Sequence, residues 1–188
     1  MLRKIIMLFE ETPISGMWKI HTERKQDTRG SFGRIFCEKE FNIRNLVFHF
    51  VQWSSSRTIE AGTIRGMHLQ LPPAGETKLV KCVRGKIYDV VCDLRRNSQS
   101  YLKKIEITLH EDDDIILYIP EGCVHGYQSL TNNVDIIYFI SNFYDADRLG
   151  GIRYDDPMMN VTWPLSPTCI SARDQALPFF KQGLFEGL

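Results

Sequence analysis

Lys104-Ile105-Glu106-Ile107-Thr108-Leu109 alternates polar and apolar residues without a break. Successive side chains of a strand point to opposite faces, so this stretch lays an apolar row on a core and a polar row toward water. Outward from it, residues 87–94, 115–120 and 134–143 are more continuously apolar, as strands buried between two sheets are. Turn signals separate them: Thr28-Arg29-Gly30, Pro72-Pro73-Ala74-Gly75, Arg84-Gly85-Lys86, Arg96-Asn97-Ser98, Glu121-Gly122 and Thr131-Asn132-Asn133. The gaps are too short for the helices of a doubly wound fold. Helix is expected only over 38–45 and from Ser171, where Asp174 follows at capping-box spacing and Pro178 stops the turn. The expectation is a mainly β chain, a jelly-roll barrel of two antiparallel sheets with short terminal helices, one domain over 1–188.

The chain has 188 residues, 43% of them hydrophobic, with 23 Lys plus Arg against 23 Asp plus Glu. A chain of this size buries roughly 70% of its unfolded surface, enough for a core without staples. Zero net charge argues against non-specific binding to nucleic acid or an anionic membrane, which needs a basic excess. It leaves room for a local basic pocket around one phosphorylated ligand. Cys37, Cys82, Cys92, Cys123 and Cys169 are odd in number and form no CxxC pair, so buried, reduced thiols are expected. The apolar run after Met1 is too short for a signal core and ends in Glu10 and Glu11, and no stretch approaches the ~18 residues of a membrane span. A cytoplasmic location follows from these two readings.

Chemistry concentrates in Gly62-Thr63-Ile64-Arg65-Gly66-Met67-His68-Leu69-Gln70. On a strand, Gly66, His68 and Gln70 share one face. The glycines leave room for something close to the backbone. A histidine between glycine and glutamine, rather than in an apolar row, suits a ligand; the alternative is an interior histidine with its hydrogen bonds satisfied. Pro120-Glu121-Gly122 turns the chain and delivers His125 to the next strand. Alternation places Tyr138, Asn142 and, if the strand continues, Tyr144 on one face, with core packing as the alternative for each tyrosine. Arg65 and Lys78 flank the histidine segment and the strand after it, where a diphosphate clamp would be needed. GxGxxG, GxxxxGK[ST] and GxSxG are all missing. His68 and His125 lack an evident third ligand, because Gln70 stands where an HxH pair would place its second histidine; no metal is expected.

Five motifs, in order, resemble the cupin-fold sugar-nucleotide epimerases typified by dTDP-4-dehydrorhamnose 3,5-epimerase. They are Arg65-Gly66-Met67-His68-Leu69-Gln70, the stretch from Lys78-Leu79-Val80-Lys81 to Tyr88-Asp89-Val90, Ile119-Pro120-Glu121-Gly122-Cys123-Val124-His125-Gly126, Gly151-Ile152-Arg153-Tyr154-Asp155-Asp156-Pro157 and Ile170-Ser171-Ala172-Arg173-Asp174. The resemblance implies a cupin jelly roll with His68 as general base, Asp174 orienting its imidazole and Tyr138 as acid on the opposite face of the sugar. It places Arg65 and Arg29 on the diphosphate, Arg29 from its own or a partner subunit, and Lys78 beside the ketone. Gln52, His125 and Arg173 fall at ligand-contacting positions, and Gln70 and Tyr144 join them as substrate-binding candidates. The family is a homodimer with an N-terminal strand crossing between subunits, and neither NAD nor metal is required. The chain departs from the family pattern at Phe139, Arg34, Trp53, Ser54 and Leu149, on the nucleoside side.

These residue types suit the chemistry. A 4-keto sugar has acidified C–H bonds at C3 and C5, and a neutral imidazole is a suitable base for them near pH 7. Its carboxylate partner fixes the tautomer. A lysine stabilises the enolate oxygen, and a phenol returns a proton from the other side. The expected function is cofactor-independent inversion of C3, C5 or both in a dTDP- or CDP-linked 4-keto-6-deoxyhexose. A non-catalytic cupin would bind a sugar nucleotide without solvent exchange, and a metal-dependent one would hold iron, manganese or zinc through His68.

Overall fold

Glycine 85 sets the architecture. At φ +77° it turns the chain from one sheet into another, and a Cβ there would meet the Thr131 hydroxyl at 2.6 Å. The computed structural model describes residues 7–181, 183–185 and 188. Numbered along the chain, one sheet has six strands in the spatial order β1 (Leu8–Glu11), β2 (Trp18–His21), β10 (Ile115–Ile119), β7 (Lys78–Arg84), β12 (Val134–Ile140) and β5 (Gln52–Thr58). The other has five: β13 (Leu149–Gly151), β6 (Ile64–Gln70), β11 (Cys123–Ser129), β8 (Lys86–Asp93) and β9 (Lys104–His110). A separate hairpin joins β3 (Arg24–Asp27) to β4 (Gly30–Gly33). Every pairing between these strands is antiparallel, and from β5 to β13 each strand lies in the opposite sheet from the one before it, except β9, which stays beside β8, as in a jelly roll.

The alternating side chains sort into three apolar layers. Val80, Leu117 and Ile136 from one sheet meet Ile87, Val91 and Leu109 from the other. Outside the five-stranded sheet, Met67, Leu69, Val90 and Val124 are covered by Ile152 and Met159. Outside the six-stranded sheet, Leu79, Ile116 and Phe139 pack with Phe41 of α1 (Glu38–Asn42). Strand β11 has a neighbour on each side and a layer on each face, so all of its residues are buried.

Several expectations change at their ends. The helix expected over 38–45 stops at Asn42, and Asn45 takes a left-handed φ of 54°, which asparagine tolerates. The strand expected over 134–143 ends at Ile140, so Tyr144 lies in a loop. All five cysteines are free, but Cys169 is exposed and Cys37 half-buried, so only Cys82, Cys92 and Cys123 are the buried thiols expected of all five. Among the described residues no helix is long and apolar enough to cross a membrane.

Candidate active site

Toward one end the two sheets part around a cavity of about 670 Å³. That is ample for a hexose and within the usual range of small-molecule sites. Strand parity decides which side chains reach it. On β6, His68 and Gln70 face inward while Met67 and Leu69 face the outer layer. Strand β11 lies antiparallel to β6 with His125 opposite His68, and both histidines line the cavity. Tyr138 of β12, Lys78 of β7 and Gln52, Ser54 and Ser56 of β5 line it from the other sheet. The base and acid of the sequence reading therefore stand on opposite walls.

The room foreseen at Gly66 goes to the protein itself. Gly66 has φ +130°, and a Cβ on it would lie 2.5 Å from Cα of Gly126 on β11. This close approach needs glycine on both strands. It also leaves the Gly66 N–H free to donate to Asp174 Oδ2 at 3.1 Å.

Asp174 comes from α2 (Ala172–Gln175), whose N-cap Ser171 accepts a hydrogen bond from the Asp174 backbone N–H. The capping expectation holds for Ser171, and the Asp174 side chain does something else. Its Oδ1 lies 2.7 Å from His68 Nε2. Burial alone would raise the Asp174 carboxyl. The hydrogen bond and charge of His68, with the Gly66 and Ser171 contacts, outweigh it and leave the group at about 2. An ionised carboxylate only accepts, so His68 carries its proton on Nε2 and keeps a lone pair on Nδ1. Arg173 Nη2, 3.2 Å from the same Nε2, is then a close positive charge and not a donor to it.

A second pair sits alongside. His125 Nε2 lies 2.8 Å from Asp89 Oδ2, with Asp89 fully buried. The His125 ring makes an edge contact with the Tyr138 ring at 6.5 Å between centroids. Burial, chiefly, drives the Tyr138 phenol well above its ordinary value; nearby Tyr127 and Asp89 add to this, while Ser56 and Arg65 oppose it. Tyr138 thus stays a neutral acid.

Lys78 pairs with Glu76 at 2.9 Å. Arg65 donates from Nε to Thr58 Oγ1 and from Nη2 to the Arg57 carbonyl. Gln70 lines the wall, but its amide is engaged at both ends: Nε2 donates to the Ala74 and Phe143 carbonyls, and Oε1 accepts from the Asp145 N–H. It holds the loop that carries Tyr144, whose own N–H donates to Gln52 Oε1 at 2.7 Å. Tyr144 still lines the cavity from that loop. Arg29 is the one expected residue that this chain does not bring there. It sits at the tip of the β3–β4 hairpin, paired with Asp27 at 2.6 Å, beside a separate surface hollow.

Glu76, Asp89 and Ser56 were not singled out in the sequence. Parity could have found two of them: Glu76 shares its phase with Lys78, and Ser56 shares its phase with Gln52. Asp89 carried no local signal. Of the departures from the family pattern, Phe139 faces away and packs under the exposed Trp53 ring at 4.7 Å, whereas Ser54 and Leu149 do line the cavity. Among the described residues no three His, Cys, Asp or Glu side chains gather as a metal-holding group.

A jelly roll that sets a carboxylate-bound imidazole across a ligand-sized cavity from a half-buried tyrosine, with cations lining the walls, has groups able to take and give a proton. Comparison with known proteins gives the family. A family model described as dTDP-4-dehydrorhamnose 3,5-epimerase matches residues 11–182. The dTDP-4-dehydrorhamnose 3,5-epimerase of Sinorhizobium fredii is 33% identical over 173 residues, covering 92% of this chain and 89% of its own. The dTDP-4-dehydrorhamnose 3-epimerase of Streptomyces niveus is 31% identical, covering 86% and 78%. The crystal structure of the Bacillus anthracis 3,5-epimerase with TDP and PPi bound superposes with a TM-score of 0.90 at 31% identity, covering 93% of this chain and 100% of that one. The chain belongs to the dTDP-4-dehydrorhamnose 3,5-epimerase family and is a sugar-nucleotide epimerase, an isomerase of deoxysugar biosynthesis.

Proposed function

We propose that this enzyme inverts C3 and C5 of a dTDP-linked 4-keto-6-deoxyhexose without a cofactor, working as one domain over 1–188. His68 Nδ1 takes a proton from the carbon beside the ketone, and Asp174 stabilises the imidazolium that forms. The electron pair moves to the C4 oxygen, where the Lys78 ammonium faces the enolate charge. Tyr138 returns a proton to the carbon from the opposite face, which inverts it. His68 and Tyr138 then exchange protons with solvent before the next turn. Arg65 and Arg173 supply the positive charge that a diphosphate needs. Gln52, His125 and Tyr144 border the sugar and nucleoside.

The observation that carries this reading is the placement of His68, with its low-lying Asp174, and Tyr138, kept protonated by burial, on facing walls of one cavity. The test is proton NMR in D2O with dTDP- and CDP-linked 4-keto-6-deoxyglucose side by side. Deuterium should enter C3 and C5 of the dTDP substrate with inversion. No exchange with either nucleotide would sink the proposal, and faster exchange with CDP would move the specificity. Inversion at C3 alone is the second reading, favoured by the name of the Streptomyces niveus relative.

We further propose a homodimer with an exchanged N-terminal strand, in which Arg29 of each hairpin enters the neighbour's cavity. Support comes from Arg29 lying outside its own site, and from Phe32 and Trp53, 71% and 70% exposed. Within one chain β1 pairs with β2, and residues 1–6 lie outside the described residues. Sedimentation of the wild type and Arg29→Ala kinetics test this. Five unpaired cysteines support a reducing, cytoplasmic setting.

A further inference from the structure

Lys78 is not the only charge that its segment brings to the cavity. Glu76 lines the same wall, and its Oε1 lies 2.9 Å from Lys78 Nζ. The backbone that carries Glu76 is fixed to the end of β12 at three points. The Thr77 N–H donates to Ser141 Oγ at 2.8 Å, the Ser141 N–H donates to the Thr77 carbonyl at 3.0 Å, and Asn142 Nδ2 donates to the Gly75 carbonyl at 3.2 Å. Thr77 turns into the protein and is buried, so alternation sends Glu76 and Lys78 together toward the cavity. Their side chains are 10% and 12% exposed, far more enclosed than an ordinary surface ion pair.

The ion pair uses only part of the carboxylate. Among the described residues Lys78 is the one partner of Glu76, and Oε2 has none. Oε2 is not among the side-chain atoms that are sealed from solvent without a hydrogen bond, so the cavity reaches it. A carboxylate beside an ammonium only accepts, so the ligand group that meets Oε2 must be a donor. The position of Lys78 selects that donor. In the reaction proposed above the ammonium faces the C4 oxygen, and Glu76 stands immediately beside it. The two ring carbons that flank C4 differ: C3 carries a hydroxyl, and C5 carries a methyl group, which cannot donate. We propose that Glu76 is a specificity-determining residue that accepts a hydrogen bond from the C3 hydroxyl through Oε2, so that the enzyme takes 4-keto sugars with a hydroxyl at C3 and discriminates against their 3-deoxy counterparts. The Lys78 ammonium has three donors and bridges the carboxylate and the ketone oxygen. It also stands between the fixed negative charge of Glu76 and the charge that develops on the enolate, which would otherwise repel each other. A 3-deoxy sugar would leave Oε2 unpaired in an enclosed site, and that loss is the source of the discrimination.

This inference rests on the epimerase reading, and its test separates the two. Deuterium entry beside the ketone in D2O is measured as kcat/KM for dTDP-linked 4-keto-6-deoxyglucose and for its 3-deoxy analogue. Wild type should favour the 3-hydroxy sugar by about tenfold or more, as expected for a hydrogen bond to a charged group. Glu76→Ala should bring that preference below about threefold, and Glu76→Gln, which keeps an acceptor without the charge, should fall between the two. A residue that served only to place Lys78 would slow both substrates alike and leave their ratio where it was. An unchanged ratio in Glu76→Ala, or in Glu76→Gln if the alanine variant does not fold, overturns the assignment, as does a wild type with no preference. If wild type exchanges neither sugar, the epimerase reading fails. Equilibrium binding of the same two nucleotides to wild type and variant then decides the contact by the same ratio.

Discussion

Two histidines stand opposite each other on adjacent strands, each held through Nε2 by a carboxylate at nearly the same distance, 2.7 Å for His68 and 2.8 Å for His125. Their surroundings differ. The His68 side chain is 22% exposed and that of His125 is 5%. Both oxygens of Asp174 are engaged, on His68 and on the Gly66 N–H, whereas Asp89 Oδ1 has no hydrogen-bond partner among the described residues. A base must reach the substrate proton and be steadied as it becomes charged. In the proposed reaction the His68 pair is the one that meets both requirements. The His125 pair braces β11 and the Tyr138 ring from inside the wall. Equal hydrogen-bond lengths therefore do not mean equal roles; access and the satisfaction of the carboxylate separate them.

The largest expected effect breaks that comparison directly. His68→Ala should lower deuterium wash-in by ~10³-fold or more, near the upper range for losing a general base, while His125→Ala should cost less than about a tenth of that. Equal losses in the NMR assay would show that the two pairs are not distinct. Tyr138→Phe should retain most wash-in and lose about 10²-fold in inversion, since only the second proton transfer needs the phenol. An equal fall in both would place Tyr138 in the first step instead. Asp89→Ala should act on the fold more than on chemistry, costing about 3 kcal/mol in urea unfolding because His125 is left buried without its partner. A purely catalytic loss with unchanged stability would reverse the assignment of that pair.

The smallest effect sharpens the contrast between the carboxylates. Folding favours the ionised form of Asp174, lowering it from an ordinary 3.8 to about 2. Its contribution, roughly 2 kcal/mol, is complete above about pH 5 and fades as pH falls toward 2. Urea midpoints should therefore drop between pH 5 and 2.5 by less in Asp174→Asn than in wild type. Parallel curves would mean that the dyad adds nothing to acid stability.

Much of this molecule could be read one residue at a time. Period two in the stretch from Lys104 to Leu109, turn residues such as Gly85 and a capping serine at 171 are local, because backbone geometry repeats within a few residues. They determined strands, their faces and the short helix, and with the motif resemblance they named His68, Tyr138 and Asp174. Where a strand stops was less legible: β12 ends at Ile140 and Tyr144 reaches the cavity from a loop that Gln70 holds. Tertiary structure alone brought Asp174 to His68 across 106 residues, His125 to Asp89 across 36, and Ser56 to Tyr127 across two sheets. It also kept Arg29 out of its own chain's cavity. The physical reason is that side-chain direction is set by neighbouring residues. Which directions meet is set by how the sheets close on their shared core, and no window of sequence contains that closure.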